Sequence, residues 1–142
     1  MTVLVVDESK YDAFFKKYGE QYKVDPLFLK AQVKQESEFN PLAVSKCGAK
    51  GLAQFMPLTW RQMGHGDIQD PESNIKAQAD YMHSLIYLFR GDTDKALAAY
   101  NWGMGNVMKL KTFALSYLPE ETHHYIMYIN KYYAEYKTRG AL

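Results

Sequence analysis

Two Asp-Pro pairs, at residues 25–26 and 70–71, constrain the fold of this 142-residue chain most strongly, because each stands before a stretch of apolar residues at helical spacing. An aspartate side chain can accept hydrogen bonds from the free N–H groups at a helix N-terminus, and proline fits the first helical turn. Each pair therefore predicts the start of a helix. Apolar stripes of the same period predict a first helix over residues 11–22, capped by Ser9, and a last helix after Pro119.

Shorter helical segments fill most of the remaining chain. The second helix should continue to Ser37 and be terminated by Asn40-Pro41, because the residue before a proline disfavours the helical region. After a loop over residues 40–51, the pattern predicts a helical turn over 52–56 and a helix capped by Thr59 that runs to Met63. It also predicts a helix over 95–101 capped by Asp94 and one over 107–113. A strand-like pattern is confined to residues 2–6. We therefore predict an all-α fold of about seven helices, forming one domain over residues 1–142.

The bulk composition excludes several classes of function. The net charge is +1, whereas nucleic-acid-binding domains usually carry a basic patch and a high pI. Cys47 is the only cysteine of the sequence, so no intramolecular disulfide can form. The longest apolar run, residues 85–89, is too short for a membrane span, and residues 1–6 are too few for the apolar region of a signal peptide. We expect no nucleic-acid partner, no stable membrane insertion and a monomer.

Glu36 is the candidate for acid–base chemistry. It falls near the C-terminal end of the second predicted helix, where the helix dipole disfavours a negative charge, and burial against aromatic residues would raise its pKa further. A carboxylic acid that stays protonated near neutral pH can donate its proton to a leaving oxygen. The alternative is a solvated glutamate on a charged helix, beside Lys34 and Glu38. Glu38 lies on a different helix face, so it forms no obvious catalytic pair with Glu36.

The segment after Glu36 offers backbone and polar groups to a ligand. Gly48 and Gly51 permit positive φ and close approach of a ligand to the main chain, although most loop glycines serve turns. Polar side chains that could bind hydroxyl or acetamido groups are Ser45, Gln54 and Asn101, although each type is also common as a helix cap or on the surface. Met56 and Tyr100 could form the floor of a groove, although such residues are also common in a core.

The sequence shows no convincing metal site. Histidines occur at positions 65, 83, 123 and 124, without the His-x-x-x-His spacing and neighbouring glutamate of a zinc site, and cysteines do not cluster. The Gly48-x-x-Gly51 spacing lacks the Lys-Ser/Thr ending of a phosphate-binding loop.

Taken together, three blocks of sequence resemble the catalytic domain of the soluble lytic transglycosylase family, which shares a lysozyme-like fold with goose-type lysozymes. The blocks are Glu36-Ser37 with Phe39-Asn40-Pro41-x-Ala43-x-Ser45-x-x-Gly48-Ala49-x-Gly51-Leu52-x-Gln54-x-Met56-Pro57, then Ala98-Ala99-Tyr100-Asn101-x-Gly103, and then Glu121-Thr122-x-x-Tyr125-Ile126. They cover residues 36–126 in the family's order. One departure is Trp102, where the family usually has a small residue.

The resemblance implies a function that composition does not show. The substrate would be peptidoglycan glycan strands, cut between N-acetylmuramic acid and N-acetylglucosamine without a cofactor. Glu36 would protonate the glycosidic oxygen and then deprotonate the muramyl 6-hydroxyl, which closes into a 1,6-anhydro ring. The residues that the resemblance assigns to the substrate groove are Ser37, Ser45, Gly48, Gln54, Met56, Tyr100, Asn101, Glu121 and Tyr125. Tyr100 would bond near the acid or the acetamido group.

Two other hypotheses about the function remain open at this point. A goose-type lysozyme would use the same acid with an ordered water, positioned by Glu121 or another acid, and would hydrolyse the bond. The second is a glycan-binding module of a virion, which would need no acid at all. The acid at position 36 argues against this second alternative. The implied place of action is the bacterial cell wall, in the periplasm. Without a recognisable signal peptide, we expect a bacteriophage lysis enzyme held in the host cytoplasm before lysis, a virion-associated wall-piercing enzyme, or a piece of a longer bacterial protein.

Overall fold

The computed structural model describes residues 6–64 and 66–142, which form seven α-helices and one short 3₁₀ helix. The helices are α1 (Asp12–Tyr22), α2 (Pro26–Ser37), α3 (Pro57–Met63), α4 (Pro71–Leu88), α5 (Thr93–Trp102), α6 (Met104–Met108) and α7 (Glu120–Arg139), with the 3₁₀ helix at Leu115–Tyr117. In the described part of the chain, β pairing is limited to two isolated bridges, Val44 with Lys50 and Lys50 with Phe55. The predicted all-α fold is confirmed. Residues 2–5 of the strand-like segment lie outside the described residues.

Both Asp-Pro predictions are confirmed by the observed helix caps. Oδ1 of Asp25 accepts from the N–H of Leu27 at 2.9 Å, and Oδ2 of Asp70 accepts from the N–H of Ser73 at 2.9 Å. Each bond satisfies an N–H that has no partner within its own helix. The last helix likewise begins directly after Pro119.

Three predicted caps are wrong. Thr59 lies inside α3, which begins at Pro57 and has no side-chain cap. Helix α1 has no side-chain cap, because the hydroxyl of Ser9 donates to Asp7 and only the main-chain oxygen of Ser9 accepts from Asp12. Helix α5 is capped by Asp92, which accepts from the N–H of Lys95 at 3.0 Å, so Asp94 lies inside the first turn instead of before it.

Helix α2 ends at Ser37 as predicted, but its terminator is Glu38, which adopts a left-handed conformation with φ of 50°, and not Asn40-Pro41. Two other predicted segments differ from the structure. Residues 52–56 form a turn and no helix, and α3 begins at Pro57. The predicted helix over 107–113 is instead α6, which ends at Met108.

Helix α2 lies at the centre of the molecule. It packs against α1 on one side and α7 on the other, while α4 packs against α1 and α5. Six consecutive residues, 28–33, are buried, and the charge of Lys30 among them is paired with Asp12 at 2.9 Å. A helix buried all round must carry its polar groups into the interior, where they require partners. The end of this central helix is where Glu36 lies.

Candidate active site

Glu36 occupies the last turn of α2, and the chain leaves the helix immediately after it. Glu38 and Phe39 follow with consecutive positive φ values of 50° and 64°. This is an uncommon conformation for residues with a Cβ and it stores strain. The reversal carries the chain into the loop of residues 38–56.

The carboxyl group of Glu36 is held in its neutral form at neutral pH. Desolvation is the largest cause, and it raises the pKa of Glu36 to about 8. The negative charge of Glu121 raises this pKa as well, while a hydrogen bond from Tyr125 opposes the shift. The side chain is only partly buried, so the acid is removed from bulk water yet remains reachable. A proton donor with this pKa is suited to general acid catalysis near neutral pH.

Helix α7 supplies the hydrogen-bond partner of the acid. The hydroxyl of Tyr125 donates to Oε2 of Glu36 at 2.9 Å. Tyr125 is buried, and burial together with the charge of Glu36 raises the pKa of the Tyr125 hydroxyl well above its ordinary value. The hydroxyl therefore stays a donor at any physiological pH. Glu121, one turn earlier on α7, is exposed to solvent and acts on Glu36 through its charge.

A cleft of about 260 Å³ lies beside the acid, between the loop after α2 and helix α5. The residues that line it are Gln54, Phe55, Met56, Thr59, Tyr81, Ala99, Tyr100, Asn101, Trp102 and Gly103. Glu36 is outside this lining and adjoins the cleft through Tyr100, whose hydroxyl pKa is raised well above normal by burial and by the charge of Glu36. Aromatic rings and amides in one cleft suit a sugar, which offers apolar faces and hydroxyl edges.

The residues predicted to bind a ligand fall into three groups in the structure. Gln54, Met56, Tyr100 and Asn101 line the cleft, and Tyr125 and Glu121 act on the acid. Ser45 and Gly48 do not line the cleft: the hydroxyl of Ser45 accepts from the N–H of Ala49 at 3.0 Å within an exposed loop. Ser37 is also engaged locally, since its hydroxyl donates to the main-chain oxygen of Val33 at 3.3 Å.

Two cleft residues make hydrogen bonds to the main chain of the loop. The hydroxyl of Tyr100 donates to the main-chain oxygen of Ala53 at 2.8 Å and makes no hydrogen bond with Glu36. Nε2 of Gln54 donates to the main-chain oxygens of Ala43 and Gly51, at 3.0 and 2.9 Å. These bonds shape the loop, so Tyr100 and Gln54 build the wall of the cleft.

Asn74 on α4 was missed by sequence reasoning, although it anchors the same loop. It is fully buried, accepts from the N–H of Ala53 at 2.7 Å and donates to the main-chain oxygen of Ile68 at 2.8 Å. Gly51 packs directly on it, since a Cβ at Gly51 would overlap Nδ2 of Asn74. An asparagine at the start of the apolar stripe of α4, one position before Ile75, was the available signal.

A larger cavity of about 860 Å³ lies at the C-terminal end of α4 and shares Tyr81 with the cleft. Its described lining is largely apolar and contains no acidic residue, so it offers no carboxylic acid. In residues 6–64 and 66–142 there is also no cluster of three His, Cys, Asp or Glu side chains with the geometry of a metal site. None of the helices within those ranges combines the length and apolar character of a membrane-spanning helix.

This chain is similar to known proteins in both fold and sequence. It superposes on the 70-kDa soluble lytic transglycosylase of Escherichia coli with a TM-score of 0.82 and 29% identity, covering 92% of this chain and 24% of that one. An inactive mutant of the lytic transglycosylase Slt from Pseudomonas aeruginosa gives a TM-score of 0.82 and 26% identity over the same shares. The membrane-bound lytic murein transglycosylase F of Actinobacillus succinogenes is 36% identical over 113 residues, which is 75% of this chain and 23% of that protein.

The described residues thus form a lysozyme-like, all-α fold of the lytic transglycosylase type, with a partly buried acid beside a cleft. The chain belongs to the family of the transglycosylase SLT domain, whose model matches residues 13–118. It spans about a quarter of the length of the curated relatives that it matches.

Proposed function

We propose that this chain is a peptidoglycan lytic transglycosylase that cleaves the β-1,4 bond between N-acetylmuramic acid and N-acetylglucosamine. The observation that carries the proposal is the Glu36 carboxyl group, whose pKa is raised to about 8 beside a cleft of suitable chemistry. Membership of the transglycosylase SLT domain family supports it, as do the names of the relatives. The place of action is then the peptidoglycan layer, in the periplasm.

The reaction needs one group to serve first as an acid and then as a base. Neutral Glu36 donates its proton to the glycosidic oxygen as the bond from that oxygen to C1 of the muramic acid breaks. The positive charge that develops at C1 is stabilised by the sugar's own acetamido group. The Glu36 carboxylate then removes the proton of the muramyl 6-hydroxyl as the oxygen of that hydroxyl bonds to C1. The product is a 1,6-anhydromuramyl end, no water is consumed, and Glu36 ends in its starting protonation state.

A pKa near the middle of the pH scale fits this double role. An ordinary glutamate, with a pKa near 4.5, would be ionised at neutral pH and could not begin the reaction. The hydrogen bond from Tyr125 stabilises the carboxylate that forms after proton donation. The charge of Glu121 acts in the opposite direction and favours return of the proton.

The cleft residues are proposed to bind the glycan strand. Trp102 and Tyr81 present aromatic surface on which a sugar face can stack, and Met56 adds an exposed apolar contact. The amide of Asn101, whose Oδ1 accepts from Thr122 at 2.9 Å, lies at the same cleft and is suited to the acetamido group. Ser37, Ser45 and Gly48 contribute through the shape of the acid-bearing turn and its loop.

One digestion experiment tests the proposal. Purified sacculi are incubated with the wild type and with Glu36→Gln, and the released muropeptides are identified by mass spectrometry. The wild type should release products one water lighter than hydrolytic ones, and Glu36→Gln should be slower by at least about two orders of magnitude, because it lacks the general acid. Products with reducing muramic ends would instead show that the chain hydrolyses the bond, and they would contradict transglycosylation. Equal turnover by a correctly folded Glu36→Gln variant would refute the role of Glu36.

A further inference from the structure

The bond between Tyr125 and Glu36 is the last link of a buried chain of hydrogen bonds that joins α4, α2 and α7. Nε2 of Gln78 on α4 donates to Oε1 of Gln32 on α2 at 2.8 Å. Nε2 of Gln32 in turn donates to the hydroxyl oxygen of Tyr125 at 2.9 Å. Both glutamines are completely buried, with 0% exposure. Burying two amides costs free energy unless they are bonded, and apolar side chains would fill the same space without that cost.

A main-chain carbonyl fixes the direction of every link. Nε2 of Gln78 donates to the main-chain oxygen of Leu29 at 3.1 Å as well as to Gln32. A carbonyl oxygen can only accept, so the atom of Gln78 that faces Leu29 must be its nitrogen. That nitrogen requires an oxygen from Gln32 on its other side. Gln32 is therefore left with its nitrogen toward Tyr125.

This orientation determines what Tyr125 can offer to the acid. A hydroxyl has one proton to donate, and its oxygen accepts from other donors. Because the oxygen of Tyr125 accepts from Gln32, its proton is directed toward Oε2 of Glu36. In neutral Glu36, an oxygen that accepts from Tyr125 is the poorer place for the acid proton. The proton is then carried by the other oxygen, Oε1.

We propose that Gln32 and Gln78 are positioning residues for the acid: they orient the Tyr125 hydroxyl as a fixed donor to Oε2 of Glu36 and so assign the transferable proton to Oε1. This inference rests on the proposed function of Glu36 as the general acid. Neither glutamine lines the cleft, so both act on the reaction through Tyr125 and not through the substrate.

The titratable groups around Glu36 allow the effect of Gln32 on the pKa of Glu36 to be distinguished from the effects of nearby charges. Tyr125 and Glu121 face the acid from α7, Tyr100 faces it from α5, and Tyr81 of α4 adjoins Tyr100. The charge of Glu121 is the one among these that raises the pKa of Glu36, and substitution of a neutral glutamine leaves it in place. A change in the titration of Glu36 after substitution at position 32 therefore reports the orientation of Tyr125.

The primary test is the titration of the Glu36 carboxyl carbon, followed by NMR in ¹³C-glutamate-labelled protein. Gln32→Met removes the amide and keeps an unbranched side chain of similar length. It should raise the pKa of Glu36 by about half a unit to one unit, because a hydrogen bond to the carboxylate is weakened. Gln78→Met should shift it in the same direction by less. Tyr18→Phe is the matched control, since it removes a tyrosine hydroxyl that bonds another glutamate, Glu72, at 2.7 Å, and should leave the Glu36 titration unchanged.

A double-mutant comparison separates positioning from a general loss of packing. Gln32→Met added to Tyr125→Phe should shift the Glu36 titration no further than Tyr125→Phe alone, because the link to the acid is already cut. Additive shifts, or an unchanged titration in a folded Gln32→Met variant, would overturn the proposal. If Gln32→Met does not fold, Gln32→Leu serves instead, because leucine also lacks the donor to Tyr125 and should produce the same upward shift at Glu36.

The kinetic consequence is a split between kcat and KM. On soluble glycan strands, Gln32→Met should lower kcat about threefold to tenfold, the effect of one hydrogen bond, with KM unchanged. An increase in KM alone would show that residue 32 acts on the substrate cleft and would contradict the inference. The NMR titration needs no turnover, so it still tests the hydrogen-bond chain if the wild type proves to cleave no peptidoglycan.

Discussion

The hydroxyl of Tyr125 donates to Oε2 of Glu36 at 2.9 Å, although 89 residues separate the two positions in the sequence. The contact exists because α7 packs along α2, which brings the first half of the last helix against the end of the central one. The same hydroxyl is the largest influence that lowers the pKa of the acid against the effect of burial. The acid strength of Glu36 is therefore set jointly by two distant segments.

Loss of this hydroxyl should weaken Glu36 as an acid. In Tyr125→Phe, we expect the pKa of Glu36 to rise, which moves the alkaline decline of activity upward by about half a unit to one unit and lowers kcat about tenfold. The measurement is a pH–rate profile on soluble glycan strands. Tyr18→Phe is the control, because it removes an equivalent bond from a tyrosine to a glutamate outside the site, and its profile should match the wild type. A Tyr125→Phe profile that matches the wild type would remove Tyr125 from the acid's environment.

The wild-type enzyme should lose activity as the pH rises through about 8. The reaction begins from neutral Glu36, and the fraction of neutral acid falls as the pH passes its pKa. The measurement is kcat/KM from pH 5 to pH 10, which reports the free enzyme. A decline centred near pH 4.5, the ordinary value for glutamate, would show that the acid is solvated.

Removing the acid should stabilise the protein at alkaline pH. The folded state holds the Glu36 proton more tightly than the unfolded state, where the pKa is near 4.5, so the wild type loses stability as the pH rises from about 4.5 to about 8. Glu36→Gln is free of this penalty. We expect its free energy of unfolding to exceed that of the wild type by about 1 to 3 kcal/mol at pH 9, because part of the cost is relieved by solvent at a partly exposed side chain. At pH 4 the difference should nearly vanish. Urea denaturation at the two pH values tests this, and a difference that does not depend on pH would contradict it.

Two glycines of the loop form a matched pair for testing its anchor. Gly51 and Gly48 have similar positive φ values, 84° and 91°, so alanine adds a comparable backbone strain of about 1 to 2 kcal/mol at each. A Cβ at Gly48 has no neighbouring atom within 4 Å, whereas at Gly51 it overlaps Asn74. Gly51→Ala should therefore cost about 2 kcal/mol more than Gly48→Ala in the free energy of unfolding. Equal costs in thermal or urea denaturation would show that the loop is not held against α4.

Trp102 should report glycan binding by its fluorescence. It lines the cleft, whereas the other tryptophan, Trp60, lies outside the lining and packs edge-on against Phe55. Titration with soluble glycan strands, in the inactive Glu36→Gln background, should change the emission of Trp60→Phe, which retains Trp102. The response should be lost in Trp102→Phe, and Trp102→Ala should weaken binding about tenfold, the value of one stacked aromatic contact. A response that follows Trp60 instead would place the glycan elsewhere.

The helices that could be predicted from the sequence are those whose boundaries are set by local chemistry. Asp25 and Asp70 cap because the proline that follows each one fixes the register. At α5 the sequence Asp92-Thr93-Asp94 offers two equivalent caps, and nothing local distinguishes them. Residues 52–56 look helical, yet Gln54 has a φ of 54° because pairing of Lys50 with Phe55 closes a turn around it.

The sequence offers Glu36, Tyr100 and Tyr125 as candidate site residues, but it does not show which hydrogen bonds they make. Glu36 and Tyr125 could be placed near one another through the family resemblance, but the sequence does not show that Tyr100 donates to Ala53 instead of to the acid. The sequence indicates one member of the hydrogen-bond chain behind Tyr125, since Gln32 lies one turn before Glu36 on the same face of α2. Its partner, Gln78, comes from α4, and which interior groups of two helices meet depends on packing that no single helix pattern contains.

Because the carboxyl group comes from α2 and its hydroxyl partner from α7, chemical competence depends on the docking of the final helix. A chain in which α7 has detached exposes the end of α2 to water, and Glu36 becomes an ordinary anionic side chain with no proton to give at neutral pH. Secondary structure could survive such an event almost intact. Turnover is therefore a more sensitive measure of local opening in this protein than helix content. Mild denaturation should abolish turnover well before it reduces the helix content.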